Sequence, residues 1–216
     1  MASLDTFASD PLITAITADV KAYMANYDAS HDWSHIQRVL GLARHIYAHS
    51  AHRTSLDLRV IHLAALLHDV GDRKYLSPTS PDPTTAVQDL LLSHGADPDL
   101  ATRVQTICLG VSYSTEIKNP AYTAELVARY PELGVVQDAD RLDAIGAVGI
   151  GRCFTFGGAK TGREMAGTME HFDEKLVRLE GMAKTEVGRE LMKERTRRLR
   201  EFMGWWEEEV GFAEGV

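Results

Sequence analysis

The feature that most constrains the fold is an apolar helix that ends in a charged dipeptide. Its sequence is Val60-Ile61-His62-Leu63-Ala64-Ala65-Leu66-Leu67-His68-Asp69-Val70. Because this segment is apolar nearly all round, we expect it to run through the core rather than along the surface. A carboxylate brought into the core without a partner costs several kcal/mol or takes up a proton. The segment therefore predicts an internal partner for Asp69, and a metal ion would both neutralise its charge and engage its lone pairs.

A second histidine occupies an inward position on a neighbouring predicted helix. His35 falls on one stripe, at helical spacing, with Val39, Leu42 and Ile46. Residues at this spacing share a face, so we expect the imidazole to point toward the core together with its apolar neighbours. His35 is therefore a second candidate metal ligand.

A third segment, residues 137–147, supplies carboxylates. Asp138, Asp140 and Asp143 cluster at the predicted start of an apolar helix that is rich in small residues. The pattern itself does not choose among the three. Two imidazoles and two carboxylates suit one divalent cation and leave positions for water and a phosphate. The chain therefore predicts a site for one metal ion, with a ligand from this segment.

The remainder of the chain repeats the helical pattern and lacks the alternation and tight Asn-Gly turns that a sheet requires. Predicted helices cover residues 9–26, 34–50, 55–70, 83–94, 99–112, 120–130, 135–153, 167–181 and 185–209. With 216 residues and 44% hydrophobic content, the chain is long enough for one sizeable core. We therefore expect an all-α, single-domain bundle, in which a helix within residues 1–29 packs on a domain that spans residues 30–210.

Charge and cysteine content exclude several classes of protein. The formal net charge of -8 argues against binding of nucleic acid or an anionic membrane through bulk electrostatics. No uncharged run approaches the ~20 residues that span a bilayer, and the N-terminal sequence lacks the basic start of a signal peptide. Cys108 and Cys153 both lie in apolar helical contexts, so we expect no disulfide framework. These features predict a soluble cytoplasmic protein that binds neither nucleic acid nor a membrane.

The candidate ligands stand in contexts that are similar to those of a known family. These contexts are His31-Asp32-Trp33-Ser34-His35, Leu63 to Asp72, and Asp138-Ala139-Asp140-Arg141-Leu142-Asp143-Ala144-Ile145-Gly146. Their order, one histidine, then His-Asp, then Asp, resembles that of the HD superfamily of metal-dependent phosphohydrolases. The stretch His171-Phe172-Asp173-Glu174-Lys175-Leu176 and the basic, aromatic C-terminal helix resemble a branch of small single-domain members that includes nucleoside triphosphate pyrophosphohydrolases. The resemblance covers roughly residues 30 to 205 and implies an HD-type helical bundle.

The resemblance also implies a ligand set and a reaction. By it the ligands are His35, His68, Asp69 and Asp140, the aspartate that is followed by Arg-Leu. It implies one divalent ion, because family members with two metals carry further histidines and only His94 lies between the doublet and Asp140. Mn²⁺ is the preferred ion, with Mg²⁺, Co²⁺, Ni²⁺, Fe²⁺ and Zn²⁺ as alternatives. The implied reaction is hydrolysis of a (deoxy)nucleoside triphosphate by a metal-activated water, with release of pyrophosphate.

Polar residues near these motifs are candidates for further roles. Asp72 follows the doublet by three residues and could orient or deprotonate the attacking water, as an acidic residue at this offset does in related HD hydrolases. The candidate phosphate contacts are Arg73, Lys74, Arg141, Lys160, Arg163 and His171. The first three adjoin ligand segments, and the next two lie in a basic, glycine-rich stretch that could close over a triphosphate.

Three other functions fit the same residues. A 5'-nucleotidase would remove a single phosphate from a nucleoside monophosphate with the same metal chemistry. A di-iron HD-fold oxygenase would need additional histidine and carboxylate ligands. A non-catalytic nucleotide or metal sensor would use the ion only to clamp the helices. Base and sugar preference, the physiological metal and the oligomeric state are left open by the sequence.

Overall fold

The computed structural model describes residues 7–71 and 82–213, and within these residues the chain forms helices and no strands. The α-helices are α1 (Pro11–Met24), α2 (Trp33–His49), α3 (Leu58–Leu67), α4 (Ala86–Ser93), α5 (Pro98–Val111), α6 (Tyr113–Lys118), α7 (Pro120–Arg129), α8 (Pro131–Asp143), α9 (Gly146–Phe156), α10 (Met165–Glu174) and α11 (Glu186–Val210). Short 3₁₀ segments cover Arg53–Ser55, Leu176–Met182 and Gly211–Ala213, and a π-helical turn covers Gly157–Thr161. The predicted all-α fold is confirmed.

Helix α3 is the central element of the bundle. Every residue from Val60 to Leu67 is buried, and the helix packs against α2, α5 and α8. The apolar character of this segment on all sides is what allows it to be surrounded in this way. The prediction that this helix runs through the core is therefore confirmed.

The His-Asp doublet lies just beyond α3 rather than within it. The helix ends at Leu67, His68 is its C-terminal cap, and the N–H of Val70 donates to the carbonyl of Leu67 at 2.9 Å. Gly71 then adopts φ +80°, a left-handed conformation that favours glycine. The chain therefore turns at the doublet, which brings both side chains to the end of the helix.

The predicted helix 135–153 is wrong, because two helices meet there. Helix α8 begins at Pro131, four residues earlier than expected, and the chain breaks before Gly146, which has φ +73° and packs against the side chain of Arg195 on α11. The carboxylates of the 137–147 segment consequently lie in the second half of α8 rather than at the start of a helix. The expected helix 167–181 likewise divides into α10 and the following 3₁₀ segment.

Helix α1 packs against α2, α3 and α4. Asp10 caps its first turn by accepting the N–H groups of Leu12 and Ile13. Four of its side chains belong to the common hydrophobic core: Ile13, Ile16, Val20 and Met24. The division of the chain at residue 29 stays a prediction. Across the described ranges, no helix combines the length and the apolar character that a membrane span requires.

Candidate metal centre

Three helices deliver nitrogen and oxygen donors to one point. His35 comes from α2, His68 from the end of α3, and Asp140 from the last turn of α8. The Nε2 atoms of the two histidines are 3.2 Å apart, and Oδ1 of Asp140 lies 3.6 Å from one and 3.7 Å from the other. One donor atom from each of the three residues therefore lies within 4.8 Å of the donor atoms of the other two.

Asp69 completes this group and also tests whether a cation fits it. Its Oδ2 lies 3.3 Å from Nε2 of His35, and its Oδ1 lies 3.5 Å from Nε2 of His68. The same Oδ2 is buried and has no hydrogen-bond partner within the described residues. A buried carboxylate oxygen without a donor is costly, and a cation placed between the four donors would satisfy it. The donor set therefore fits a divalent metal.

Hydrogen bonds fix both imidazole rings with Nε2 toward this point. Nδ1 of His68 lies 2.8 Å from the carbonyl oxygen of Ala65, which can only accept, so Nδ1 carries the proton. Nδ1 of His35 lies 2.8 Å from Oδ2 of Asp143. Each ring therefore presents the lone pair of Nε2 to the centre, which is the arrangement that a metal-binding histidine requires.

Asp143 lies behind His35 and is not a metal ligand in this arrangement. Its carboxylate is 1% exposed and accepts hydrogen bonds from Nε and Nη2 of Arg38 at 2.7 and 3.0 Å, and from Nη1 of Arg152 at 3.0 Å. Burial favours the neutral acid, but hydrogen bonds from His35 and Arg38 and the charge of Arg152 hold the pKa of Asp143 far below its usual range. The group is therefore an anion that only accepts hydrogen bonds.

Arg38 and Arg152 were not among the site residues predicted from the sequence. One signal was available for the first, because Arg38 follows His35 by three residues and so lies on the same face of α2. No comparable signal marks Arg152. It reaches Asp143 only because the chain turns at Gly146 and brings α9 back alongside α8.

Asp138, the remaining carboxylate of the segment, faces the other way. It is fully buried and accepts the N–H of Lys184 at 2.9 Å and the N–H and hydroxyl of Thr185, each at 2.7 Å. Thr185 is the N-cap of α11, so this carboxylate anchors the start of that helix. Burial raises the pKa of Asp138 despite these hydrogen bonds. Its role is structural and leaves Asp140 as the carboxylate that α8 presents beside the histidines.

The position of Arg141 argues against the predicted phosphate contact. Its side chain is 3% exposed, its Nη2 donates to Oε2 of Glu116 at 2.6 Å, and its Nη1 donates to the carbonyl of Met182 at 3.2 Å. Glu116 also accepts from Nζ of Lys184 at 2.6 Å. A buried guanidinium that is engaged in such a network is not available to a substrate, because freeing it would leave Glu116 with an uncompensated charge.

Neighbouring side chains shift the pKa values of Asp69 and His35. Burial would raise the pKa of Asp69, but its close contacts with the imidazole rings of His68 and His35 hold it well below the usual value. Burial would likewise lower the pKa of His35, but the hydrogen bond to Asp143 and the charge of Asp69 raise it instead. Asp69 is therefore an anion beside the two imidazole rings, and the anionic carboxylate is the form that binds a divalent ion.

A second polar group adjoins the centre. It is formed by Asp28, Ser30 and His31, which lie in the loop before α2. Nδ1 of His31 lies 2.8 Å from Oγ of Ser30, and this hydroxyl in turn donates to Asp28. The ring of His31 meets the ring of His35 edge to face, with centroids 5.8 Å apart, and lies 5.6 Å from the ring of Phe156. The contact with Phe156 joins this loop to the end of α9 and the π-helical turn that follows. His31 was not among the site residues predicted from the sequence.

Three other residues that were predicted to contact phosphate follow α9 in the chain: Lys160, Arg163 and His171. Lys160 is in the π-helical turn, with Nζ 3.7 Å from Oδ2 of Asp28. His171, on α10, is partly buried and lies 3.7 Å from Oε2 of Glu174; burial and the positive charges of Lys175 and Arg163 lower its pKa. Arg163 is exposed and lies close enough to His171 for its charge to act on that ring. The remaining predictions, Asp72, Arg73 and Lys74, lie outside the described residues.

His94, the histidine between the doublet and Asp140, pairs with an aspartate of another helix. Its Nε2 lies 2.6 Å from Oδ2 of Asp19, so it joins α4 to α1. In the part of the chain that the structure describes, the group around His35 is the one cluster of three or more suitable donors.

Comparisons with known proteins identify relatives of the whole chain. The HD domain model matches residues 32–145. YpgQ, an uncharacterized protein of Bacillus subtilis, is 36% identical over 198 residues, which cover 88% of this chain and 90% of YpgQ. The crystal structure of YpgQ in complex with ADP aligns with a TM-score of 0.72 and 32% identity, over 95% of this chain and 96% of YpgQ. An HD-superfamily hydrolase from Bacillus thuringiensis aligns with a TM-score of 0.66 and 28% identity, over 92% and 96% of the two chains.

Proposed function

Since the chain belongs to the HD domain family and has the fold of an HD-superfamily hydrolase, we propose that it hydrolyses (deoxy)nucleoside triphosphates to monophosphates and pyrophosphate. The observation that carries the proposal is the convergence of His35, His68, Asp69 and Asp140 around a buried carboxylate oxygen that has no hydrogen-bond donor among the described residues. The ADP held by the YpgQ structure supports a nucleotide as the substrate class.

The proposed cofactor is one divalent ion, and Mn²⁺ is our first choice. Two imidazole nitrogens and two carboxylate oxygens suit borderline first-row metals, and the same donors accept Mg²⁺, Co²⁺, Ni²⁺, Fe²⁺ or Zn²⁺ with different affinities. When bound, such an ion polarises a phosphoryl oxygen and lowers the pKa of a coordinated water. The four side chains would hold it.

The exposure of the ligands indicates where a phosphate would enter. The side chains of His35 and His68 are 1% exposed, whereas that of Asp140 is 31% exposed. The centre is therefore closed on the histidine side and open beside Asp140. We infer that substrate approaches from the Asp140 side, while the packed side of α2 and α3 excludes water from the histidines.

Positive side chains outside the ligand set would bind the outer phosphates. We assign this role to Lys160, Arg163 and His171. Lys160 lies in the π-helical turn directly after Phe156, whose ring contacts that of His31. A chain with a net charge of -8 repels polyphosphates in general, so local cations are needed to hold one. Arg73 and Lys74 as further contacts, and Asp72 as the group that orients or deprotonates the attacking water, stay predictions from the sequence.

The reaction is tested by identifying its products. Purified protein with Mn²⁺ is incubated with each nucleoside and deoxynucleoside triphosphate in H₂¹⁸O, and the products are followed by ³¹P NMR. We expect pyrophosphate and a nucleoside monophosphate that carries the ¹⁸O, because attack at the α-phosphorus places the label there. EDTA and the isosteric variant Asp140→Asn should both abolish the signal.

Other products would point to other functions. Orthophosphate released from nucleoside monophosphates would replace the proposal with a 5'-nucleotidase. Two irons per purified chain with a visible charge-transfer band would favour the oxygenase. Failure to release phosphate or pyrophosphate from every nucleotide, with every metal tested, would overturn the enzyme assignment.

A further inference from the structure

The carboxylate of Asp143 joins three helices at a single buried point. Oδ2 lies 2.8 Å from Nδ1 of His35 on α2, and it also accepts from Arg38 of the same helix and from Arg152 of α9. Oδ1 accepts the Nε–H of Arg38 at 2.7 Å. We propose that Asp143 is a positioning residue that sets metal affinity by fixing the orientation and tautomer of His35, with Arg38 and Arg152 holding its carboxylate in place.

The tautomer follows from what the carboxylate can do. A carboxylate flanked by two guanidinium groups is an acceptor only, so the proton between it and His35 belongs to Nδ1 of the ring. Nε2 then carries a lone pair, and it is this atom that lies 3.2 Å from Nε2 of His68 and 3.6 Å from Asp140. Without the acceptor, the ring could place its proton on Nε2 or rotate, and either change removes one donor from the metal centre.

The two arginines explain why the carboxylate cannot turn away from His35. Arg38 contacts both oxygens in a forked arrangement, which fixes the carboxylate plane. Arg152 donates a third hydrogen bond to Oδ2, and its Nε also donates to the carbonyl of Ser30 at 2.6 Å. Because Ser30 precedes α2, Arg152 ties the start of that helix to the same point.

Asp138 provides a matched control, because a network of this kind could serve the fold alone. It lies on the same helix, is equally buried, and accepts hydrogen bonds from the start of α11 rather than from a metal ligand. If Asp143 only stabilises the fold, the two aspartates should behave alike on substitution. If Asp143 positions His35, only its substitution should change the affinity for the ion.

The experiment compares Asp143→Asn with Asp138→Asn in the full chain, with Mn²⁺ alone as the probe. Isothermal titration of each metal-free protein gives the Mn²⁺ affinity, and thermal melting in EDTA gives the stability. We expect Asp143→Asn to weaken Mn²⁺ binding by roughly 10- to 100-fold, the usual cost of losing an outer partner of a metal-binding histidine. Asp138→Asn should lower the melting temperature and leave the affinity unchanged. The visible spectrum of the Co²⁺-loaded protein should change only for Asp143→Asn.

A Mn²⁺ affinity of Asp143→Asn equal to that of the wild type would overturn the proposal. Should that variant fail to fold, Arg38→Gln decides in its place, because this side chain is 33% exposed and its loss leaves a smaller defect. Arg38→Gln should then bind Mn²⁺ more weakly, with partial recovery in Arg38→Lys, and unchanged binding would equally overturn the proposal. The inference rests on the metal centre of the proposed function but not on catalysis. If the wild type binds Mn²⁺ and hydrolyses no nucleotide, the proposed function fails and the role of Asp143 stands.

Discussion

Two faces of helix α8 carry charged side chains that have different roles. One face presents Asp140 and Asp143 to the histidine cluster, and the other presents Asp138 and Arg141 to Glu116 and the start of α11. On the second face the carboxylate of Asp138 is supplied with donors from the backbone and from a hydroxyl. Beside the first face, a buried oxygen of Asp69 has no such donor in the part of the chain that the structure describes.

This difference separates buried charges that stabilise the fold from buried charges that can bind a ligand. A charge that serves the fold is paired within the protein, because an unpaired one would cost more than the helix contact gains. A carboxylate that binds a cation is incompletely paired within the protein. Its neighbours are other lone-pair donors, which a cation could bind at the same time. The setting of Asp69 between the imidazole nitrogens of His35 and His68 is what distinguishes the metal face from the structural face. Incomplete pairing alone does not, because within the described residues Nε of Arg141 on the structural face is also buried without a hydrogen-bond partner.

Removing a ligand from the metal face should give the largest effect. Asp69→Ala should abolish hydrolysis and weaken Mn²⁺ binding by more than the roughly 100-fold that an outer partner can cost. Metal content by mass spectrometry and nucleotide turnover measure the two losses. The two-face comparison fails if the variant retains a full equivalent of Mn²⁺ after dialysis.

Substitution of Asp72 tests whether the metal centre catalyses hydrolysis or only holds the helices together. Asp72→Ala should lower kcat by ~10² or more while Mn²⁺ remains bound, because this residue is predicted to act on the attacking water. Steady-state kinetics and a Mn²⁺ titration on the same sample separate the two properties. Turnover at the wild-type rate would favour a purely structural ion.

Breaking the structural face should change stability and not metal binding. Glu116→Ala leaves the guanidinium of Arg141 buried without its partner, which should cost about 3–5 kcal/mol of unfolding free energy. Denaturant titration in EDTA measures this loss, and calorimetry with Mn²⁺ should give the wild-type affinity. Arg197→Ala, which removes an exposed pair with Glu194, is the control and should melt like the wild type. A large fall in Mn²⁺ affinity for Glu116→Ala would mean that the two faces are not independent.

The smallest expected effect is on acid stability. Burial opposes ionisation of Glu116, but hydrogen bonds from Lys184 and Arg141 lower its pKa below the usual value. A carboxyl group with a lower pKa in the folded state stabilises the fold above its unfolded pKa of about 4.3, and this contribution is lost as the pH falls below that value. Glu116→Gln should therefore lose less stability than the wild type between neutral pH and pH values below about 4, as measured by melting in EDTA. Parallel melting curves for the two proteins would contradict this assignment.

Much of the fold was accessible from the sequence because the strongest signals are local. The apolar segment before His68 could only be a central helix, and the spacing of His35 with its apolar neighbours predicted its inward position. The break before Gly146 was not accessible, since a single glycine in a helical pattern does not require one. It arises from packing against Arg195 of α11, a residue distant in the sequence.

The division of α8 into two faces could have been predicted in part. Residues three apart share a helix face, which pairs Asp140 with Asp143 and Asp138 with Arg141. That rule separates the two pairs, and it would have placed Arg141 away from the metal ligands. It does not say which face meets His35, because only the contact of α8 with α2 and α3 decides this.

The most direct test is a crystal structure with Mn²⁺ and a non-hydrolysable deoxynucleoside triphosphate, with anomalous diffraction to locate the ion. The account predicts one anomalous peak, coordinated by His35, His68, Asp69 and Asp140, with the α-phosphate bound on the side of Asp140. An ion elsewhere in the bundle, or an Asp140 that points away from an occupied centre, would contradict it.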